Sequence, residues 1–298
     1  MNETTMDALV YEGPREMNVR QLAVPKPLAN EVLIRVEVAG ICGSELSGYL
    51  GQNSLRKPPL VMGHEFSGVI TAVGSAVNDL QSGERVTVNP LLSCGDCRSC
   101  KMGAPQLCTE RQVIGAARPG AFAEFVAVPA KSVVKLPDSV SMARGALAEP
   151  LACAIHATRL AQLDPADQLL IFGAGPIGLL VMRVAQISGL SDIVVVDLNE
   201  DRRNSAKELG AQAVSSVEEA ANLAPTEGFD VTVDAVGVDA TRMQSAMLTR
   251  RGGKVVFSGL HEADSPLPVN VIIRNELQLT GAFCYTDWDF KTAVDWLA

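Results

Sequence analysis

No stretch of this chain limits its fold more than Gly173-Ala174-Gly175-Pro176-Ile177-Gly178, because of what stands on either side of it. Leu169-Leu170-Ile171-Phe172 precedes it as a short apolar run, and Ile177 to Ser188 follows with helical spacing. A G-x-G-x-x-G between a strand and a helix is the phosphate turn of a dinucleotide-binding unit, whereas the same letters alone would be a glycine-rich turn. The first glycine permits the tight turn, the second lets backbone approach a pyrophosphate, and the third lets helix pack on strand. Pro176 and Ile177 open the helix, whose N-terminal N–H groups and dipole favour phosphate.

The rest of the second half keeps the same alternation. Ile193–Val196, Val231–Val233 and Lys254–Phe257 read as strands, and Asp201–Leu209 and Ala240–Leu248 as helices. Continuous apolar strands alternating with helices predict a doubly wound parallel sheet covered on both faces. Asp197 ends the second strand, nineteen residues after Gly178. A carboxylate there accepts hydrogen bonds from a ribose and repels a 2′-phosphate, which favours NAD over NADP. Arg202 and Arg203 nearby pull the other way. The first half is different: Val32–Val38, Val69–Val73, Arg85–Val88 and Ala123–Val128 are β-branched runs punctuated by Gly and Pro. The pattern turns helical from Met142 to Leu163, so an α/β chain with a β-rich domain over 1–146 and a nucleotide domain over 147–283 is expected.

Size suits two domains: 298 residues at about 150 per domain. The net charge is −9 and the pI about 4.9, which argues against nucleic acid or an anionic membrane as partner. The start, Met1-Asn2-Glu3-Thr4-Thr5, has no signal-peptide character, and the apolar run Leu169–Met182 is short and broken by Gly and Pro. A cytoplasmic protein is the expectation.

Cys94, Cys97, Cys100 and Cys108 form a C-x2-C-x2-C-x7-C cluster, in a lobe over about 90–110. In a reducing compartment such spacing points to metal before disulfide. Four thiolates around tetrahedral Zn²⁺ leave no open position, so this metal would be structural.

Elsewhere the first half offers Cys42 in Gly40-Ile41-Cys42-Gly43-Ser44-Glu45, and His64 and Glu65 in a longer pattern. Gly63-His64-Glu65-x2-Gly68-x5-Gly74-x2-Val77 matches the zinc alcohol dehydrogenase signature at every fixed position. With the cysteine lobe and the nucleotide fold following in order, the chain resembles the zinc-dependent medium-chain dehydrogenases over nearly its whole length. Glu149-Pro150-Leu151 is similar to an element of the polyol branch, which includes sorbitol, threonine, butanediol and galactitol-1-phosphate dehydrogenases.

The resemblance implies a GroES-like catalytic domain, a Rossmann domain, and two zincs per chain. Cys42 and His64 would be constant ligands of a catalytic zinc, with Glu65 and Glu149 as alternatives for the third position, Glu65 preferred at rest. It implies a zinc Lewis acid that activates a secondary alcohol, Ser44 as first proton acceptor, and hydride transfer to NAD to give the ketone. The cofactor-binding residues carried over are Gly173, Gly175, Pro176, Ile177, Gly178, Asp197 and Arg202. A homodimer or homotetramer is implied too.

Two departures from the family stand out. Ser47 occupies the place of a proton-relaying histidine, and Cys284 that of a polyol-contacting arginine. The substrate, a polyol or sugar derivative with or without phosphate, is therefore open; Tyr49 and Tyr285 are further candidates to line its pocket. Thr286 with Asp289 predicts a capped helix over 287–297. Relatives continue beyond such a helix and return to the first domain, so residues 284–298 read as the start of that return in a truncated chain. The rival reading is a non-catalytic or inactive zinc- and nucleotide-binding protein.

Overall fold

In a computed structural model describing residues 4–298, the chain divides into two units: residues through Ala152 with Tyr285–Ala298, and Cys153–Cys284. The division falls inside the helix Ala148–Ala161, a few residues past the change of pattern near 142–147. The helical stretch from Met142 is two helices, Met142–Ala146 and Ala148–Ala161. Ser141 caps the first through the Arg144 N–H, and Pro150 fits the second because a first-turn residue needs no intrahelical donor.

The first unit is built on a mixed set of short strands. An antiparallel five-stranded sheet runs in the order 133–135, 85–88, 66–73, 31–39, 125–129. Val32, Ile34, Phe66, Ile70, Val86 and Val126 form its core, every second residue along Val32–Ile34 pointing inward. Each such side chain contributes about 1.5–3 kcal/mol on burial. A three-stranded sheet of Thr5–Gly13, Glu16–Ala23 and Leu60–Val61 packs its own smaller cluster, which includes Val10 and Val61. Leu60–Val61 leads directly into Met62-Gly63-His64-Glu65 and the strand Phe66–Val73, so His64 and Glu65 sit between two sheets.

The helix Asp287–Leu297 belongs to this unit. Thr286 and Asp289 form the expected capping box, with Asp289 Oδ2 accepting the Thr286 N–H at 2.8 Å. Tyr285 is buried and packs its ring against Phe290, ring centroids 5.6 Å apart. Asn89 Nδ2 donates to Asp287 Oδ1 at 3.1 Å and ties the helix start to the β-rich unit.

The second unit is a six-stranded, all-parallel sheet in the order 212–214, 193–196, 169–172, 229–234, 249–257, 278–281. The order reverses at 169–172, the point where a doubly wound sheet opens a crevice at its strand C-termini. Leu169–Phe172 and Ile193–Val196 are buried at every position, as strands covered on both faces must be. No helix among the described residues is long and apolar enough to cross a membrane.

Candidate metal centres and nucleotide crevice

Two groups of side chains among the described residues have the geometry to hold a metal ion. In the first, the ligand atoms of Cys42, His64 and Glu65 lie within 4.8 Å of one another. Cys42 precedes the helix Gly43–Tyr49, and His64 and Glu65 are buried in the link between sheets. Gly40 makes room for Glu65: a Cβ there would sit 2.4 Å from its Oε2. Thiol, imidazole and carboxylate are the ligand types of a zinc site that keeps one position open.

Glu149 is buried in the first turn of Ala148–Ala161, outside that three-residue group, yet its charge reaches both His64 and Glu65. Burial, and then the charge of Glu149, push Glu65 up to about 7, with His64 pulling the other way. Burial opposes protonation of His64, but the Cys42 thiol, Glu45 and the Glu149 charge outweigh it and raise His64 well above its ordinary value. A raised carboxyl and a raised imidazole packed against a thiol and a second carboxylate describe a site built to receive a cation.

Two residues of this centre escaped the sequence reading. Glu45 is 2 % exposed and accepts hydrogen bonds from three sides. Its Oε2 takes the Cys42 N–H at 2.8 Å, and its Oε1 meets His64 Nδ1 and Arg56 Nη2. Arg56 also donates to Ser44 Oγ at 3.1 Å. Glu45 had a legible signal, a carboxylate three residues after a helix-start position, but Arg56 had none in its own neighbourhood. Ser47 donates to the Ser44 carbonyl oxygen at 3.1 Å, so its hydroxyl is turned to the backbone and does not extend a relay from Ser44.

The second group is Cys94, Cys97, Cys100 and Cys108. Sulfur pairs lie 3.5 Å (Cys97–Cys100), 3.5 Å (Cys94–Cys108) and 3.9 Å (Cys94–Cys100) apart. Tetrahedral zinc with bonds of about 2.3 Å needs edges of about 3.8 Å, so the four thiols fit one ion. The backbone N–H groups of Cys97 and Asp96 point at Cys94 Sγ, 3.3 and 3.5 Å away. Backbone donors from Cys100, then the Cys100 thiol, bring Cys97 down to about 6, which favours the thiolate a metal needs.

In the second unit Gly175 is the N-cap and Pro176 the first residue of the helix Pro176–Ile187. A Cβ on Gly178 would lie 1.8 Å from the Gly173 carbonyl oxygen, so only glycine lets the helix seat on the turn. Nothing lies within 4 Å of the place a Gly175 side chain would take, which leaves that backbone open to a ligand. Asp197 Oδ2 accepts the Ala174 N–H at 2.8 Å and Oδ1 the Asn199 N–H at 2.8 Å. Arg202 Nη1 stands 3.8 Å from Asp197 Oδ2, while Arg203 donates to the carbonyls of Asp197 and Leu198. A cavity lined by Gly173, Asp197, Asn199, Arg202 and Ser216 runs along this turn. Open backbone, a helix start and an acid at the second strand's end fit a dinucleotide.

Comparison with known proteins agrees with both units. Residues 28–138 match the alcohol dehydrogenase GroES-like domain and residues 176–298 the zinc-binding dehydrogenase domain. The chain is 35 % identical to sorbitol dehydrogenase of Bacillus subtilis over 98 % of its own length and 86 % of the relative's. A zinc-binding dehydrogenase from Sinorhizobium meliloti bound to NADP superposes with a TM-score of 0.93 at 32 % identity, covering 99 % of this chain and 89 % of that one. An alcohol dehydrogenase from Escherichia coli complexed with NADH gives 0.92 at 32 % identity, covering 99 % and 88 %. The chain therefore belongs to the zinc-dependent alcohol dehydrogenase family, medium-chain oxidoreductases that use a nicotinamide dinucleotide.

Proposed function

We propose that the chain oxidises a secondary alcohol of the polyol or sugar-alcohol type to its ketone with NAD, and reduces the ketone in reverse. The observation that carries this is the convergence of Cys42, His64 and Glu65 ligand atoms within 4.8 Å, beside a serine hydroxyl. These three would hold the catalytic zinc, with Glu149, whose charge acts on His64 and Glu65, exchanging for Glu65 during turnover; Cys94, Cys97, Cys100 and Cys108 would hold the structural one. When bound, zinc supplies a Lewis acid for the alcohol oxygen and nicotinamide a hydride acceptor.

The chain's own residues do the rest. Ser44 Oγ takes the alcohol proton on the lone pair that Arg56 leaves vacant and passes its own proton to water. Glu45 fixes His64 through Nδ1, which leaves the other ring nitrogen for the metal. Gly175 and the start of Pro176–Ile187 receive the pyrophosphate, and Asp197 the adenosine ribose. NAD is preferred because Asp197 repels a 2′-phosphate, and the nearby Arg202, 59 % exposed, has its head 3.8 Å from that same carboxylate. Sorbitol dehydrogenase among the relatives supports the polyol class. A cytoplasmic homodimer or homotetramer without nucleic-acid or membrane partners completes this reading, and residues 1–146, 147–283 and 284–298 are its catalytic, nucleotide-binding and returning segments.

Metal content measured beside NAD⁺ reduction on a panel of polyols and secondary alcohols tests it. Two zincs per chain with turnover supports the enzyme. One zinc and no turnover on any member favours a non-catalytic zinc- and nucleotide-binding protein.

A further inference from the structure

The helix Gly43–Tyr49 carries Ser44 and Glu45, and it has a buried glycine, Gly48, in its last turns. Glycine weakens a helix by about 1 kcal/mol relative to alanine, so its presence needs a reason. A Cβ on Gly48 would stand 2.7 Å from Arg56 Cγ and 3.1 Å from Arg56 Cβ. The absent side chain is thus the groove in which the Arg56 stem lies. Asn53 fixes the approach of that stem, its carbonyl accepting the Arg56 N–H at 3.1 Å and its side chain the Leu55 N–H at 3.1 Å.

The Arg56 side chain is 4 % exposed. One nitrogen, Nη2, donates to Ser44 Oγ at 3.1 Å and to Glu45 Oε1 at 3.2 Å. Its Nε is buried with no hydrogen-bond partner among the described residues, which costs stability. A guanidinium has no lone pair and keeps its charge, so it cannot pass a proton onward. What it can do is hold two acceptors in fixed positions with a planar, directional fork.

We propose that Arg56 is a positioning residue of the metal centre, in which one buried guanidinium nitrogen sets both the Ser44 hydroxyl and the Glu45 carboxylate that orients His64. This rests on the reading of Cys42, His64 and Glu65 as metal ligands. By holding one Ser44 lone pair, Arg56 leaves the other for the substrate's proton. By holding Glu45 Oε1, it keeps the imidazole ring in one orientation.

Cobalt(II)-loaded protein tests this, with Arg56→Met, Arg56→Lys and Gly48→Ala compared against the unsubstituted chain. Arg56→Met is expected to weaken cobalt binding at the Cys42 site about 10- to 100-fold and to shift its visible absorption, while the four-cysteine site keeps its metal. The same variant is expected to lower kcat at least about tenfold with KM nearly constant, since the positioned groups act on the reacting proton. Arg56→Lys restores part of both signals. Gly48→Ala reproduces them in smaller measure with Arg56 still present, because it displaces only the stem.

An Arg56→Met protein with unchanged cobalt affinity, spectrum and kcat overturns the assignment. If that variant fails to fold, unchanged spectra in both Arg56→Lys and Gly48→Ala overturn it equally. Binding of only the four-cysteine metal by the unsubstituted chain overturns the catalytic-zinc reading itself, and the role of Arg56 with it.

Discussion

The carboxylate of Asp197 accepts the backbone N–H of Ala174 at 2.8 Å, so the acid at the end of one strand tethers the glycine turn at the end of its neighbour. In the proposed complex Asp197 therefore has two tasks, fixing the turn and meeting the ribose. A hydrogen bond to a charged group is worth about 1.5–3 kcal/mol. Asp197→Ala should raise the NAD⁺ dissociation constant about 10- to 100-fold, by that range. NADP⁺ should lose far less, because its repulsive partner is gone and Arg202 is released toward the phosphate. Fluorescence titration of both nucleotides checks this; an unchanged ratio of the two affinities would mean that Asp197 reads neither ribose nor phosphate.

Within the cysteine loop only Pro105, Gln106 and Cys108 are buried, and a two-strand clasp, Leu91–Leu92 with Gln112–Val113, holds its base. So little core cannot order a loop without its metal. Chelation, or Cys97→Ser, should remove one zinc per chain and open Arg98 and Lys101 to trypsin. Mass spectrometry of timed digests, with and without added zinc, reads the cut sites. Resistance of the metal-free loop would show that backbone contacts alone order it.

A salt bridge in the nucleotide unit gives a pH dependence with a definite sign. Burial acts to raise the carboxyl of Asp230, but the Gln168 N–H at 2.9 Å and the Arg250 guanidinium at 2.5 Å outweigh it and hold it below the usual range. The native state thus binds this proton more weakly than the unfolded chain, whose Asp titrates near 4. The stabilisation is present above about pH 4 and is lost as pH falls through the lowered native value. The pair is partly exposed, so Arg250→Met should cost only about 0.2–1 kcal/mol at neutral pH. Urea unfolding of both chains should show that difference shrinking below about pH 4 and in high salt.

The parallel sheet was legible because its central strands Leu169–Phe172 and Ile193–Val196 are uniformly apolar and the helix after the first opens at Gly175 and Pro176. The strands Thr5–Gly13 and Glu16–Ala23 were not: the second exposes Arg20 and Gln21 and buries little, so its period is weak. Gln278–Gly281 and Gln212–Val214 are edge strands too short to carry a pattern. Among site residues, those in fixed motifs stood out: His64, Glu65 and the four clustered cysteines. Arg56 lies in a loop between Asn53 and the cis peptide Pro58–Pro59, and only the fold brings it to Ser44 and Glu45. Contacts across eleven or twelve residues of irregular chain leave no periodic trace in sequence.

The proposed roles of Glu65 and Glu149 at the metal differ in a way that metal content can read. Glu65 has an oxygen within the tight group with Cys42 and His64, whereas Glu149 acts on that group through its charge. In the proposed resting site Glu65 is the third ligand, so its loss removes a ligand outright. Glu65→Gln should leave about one zinc per chain, held by the cysteine loop, and abolish turnover. Glu149→Gln should keep two zincs and lower kcat at least about tenfold, since the exchange of ligands is impaired while the resting site is intact. Plasma emission analysis of dialysed protein beside steady-state kinetics separates the two. Should Glu149→Gln lose the second zinc while Glu65→Gln retains it, the resting ligand is Glu149, and Glu65 is the residue that swings in.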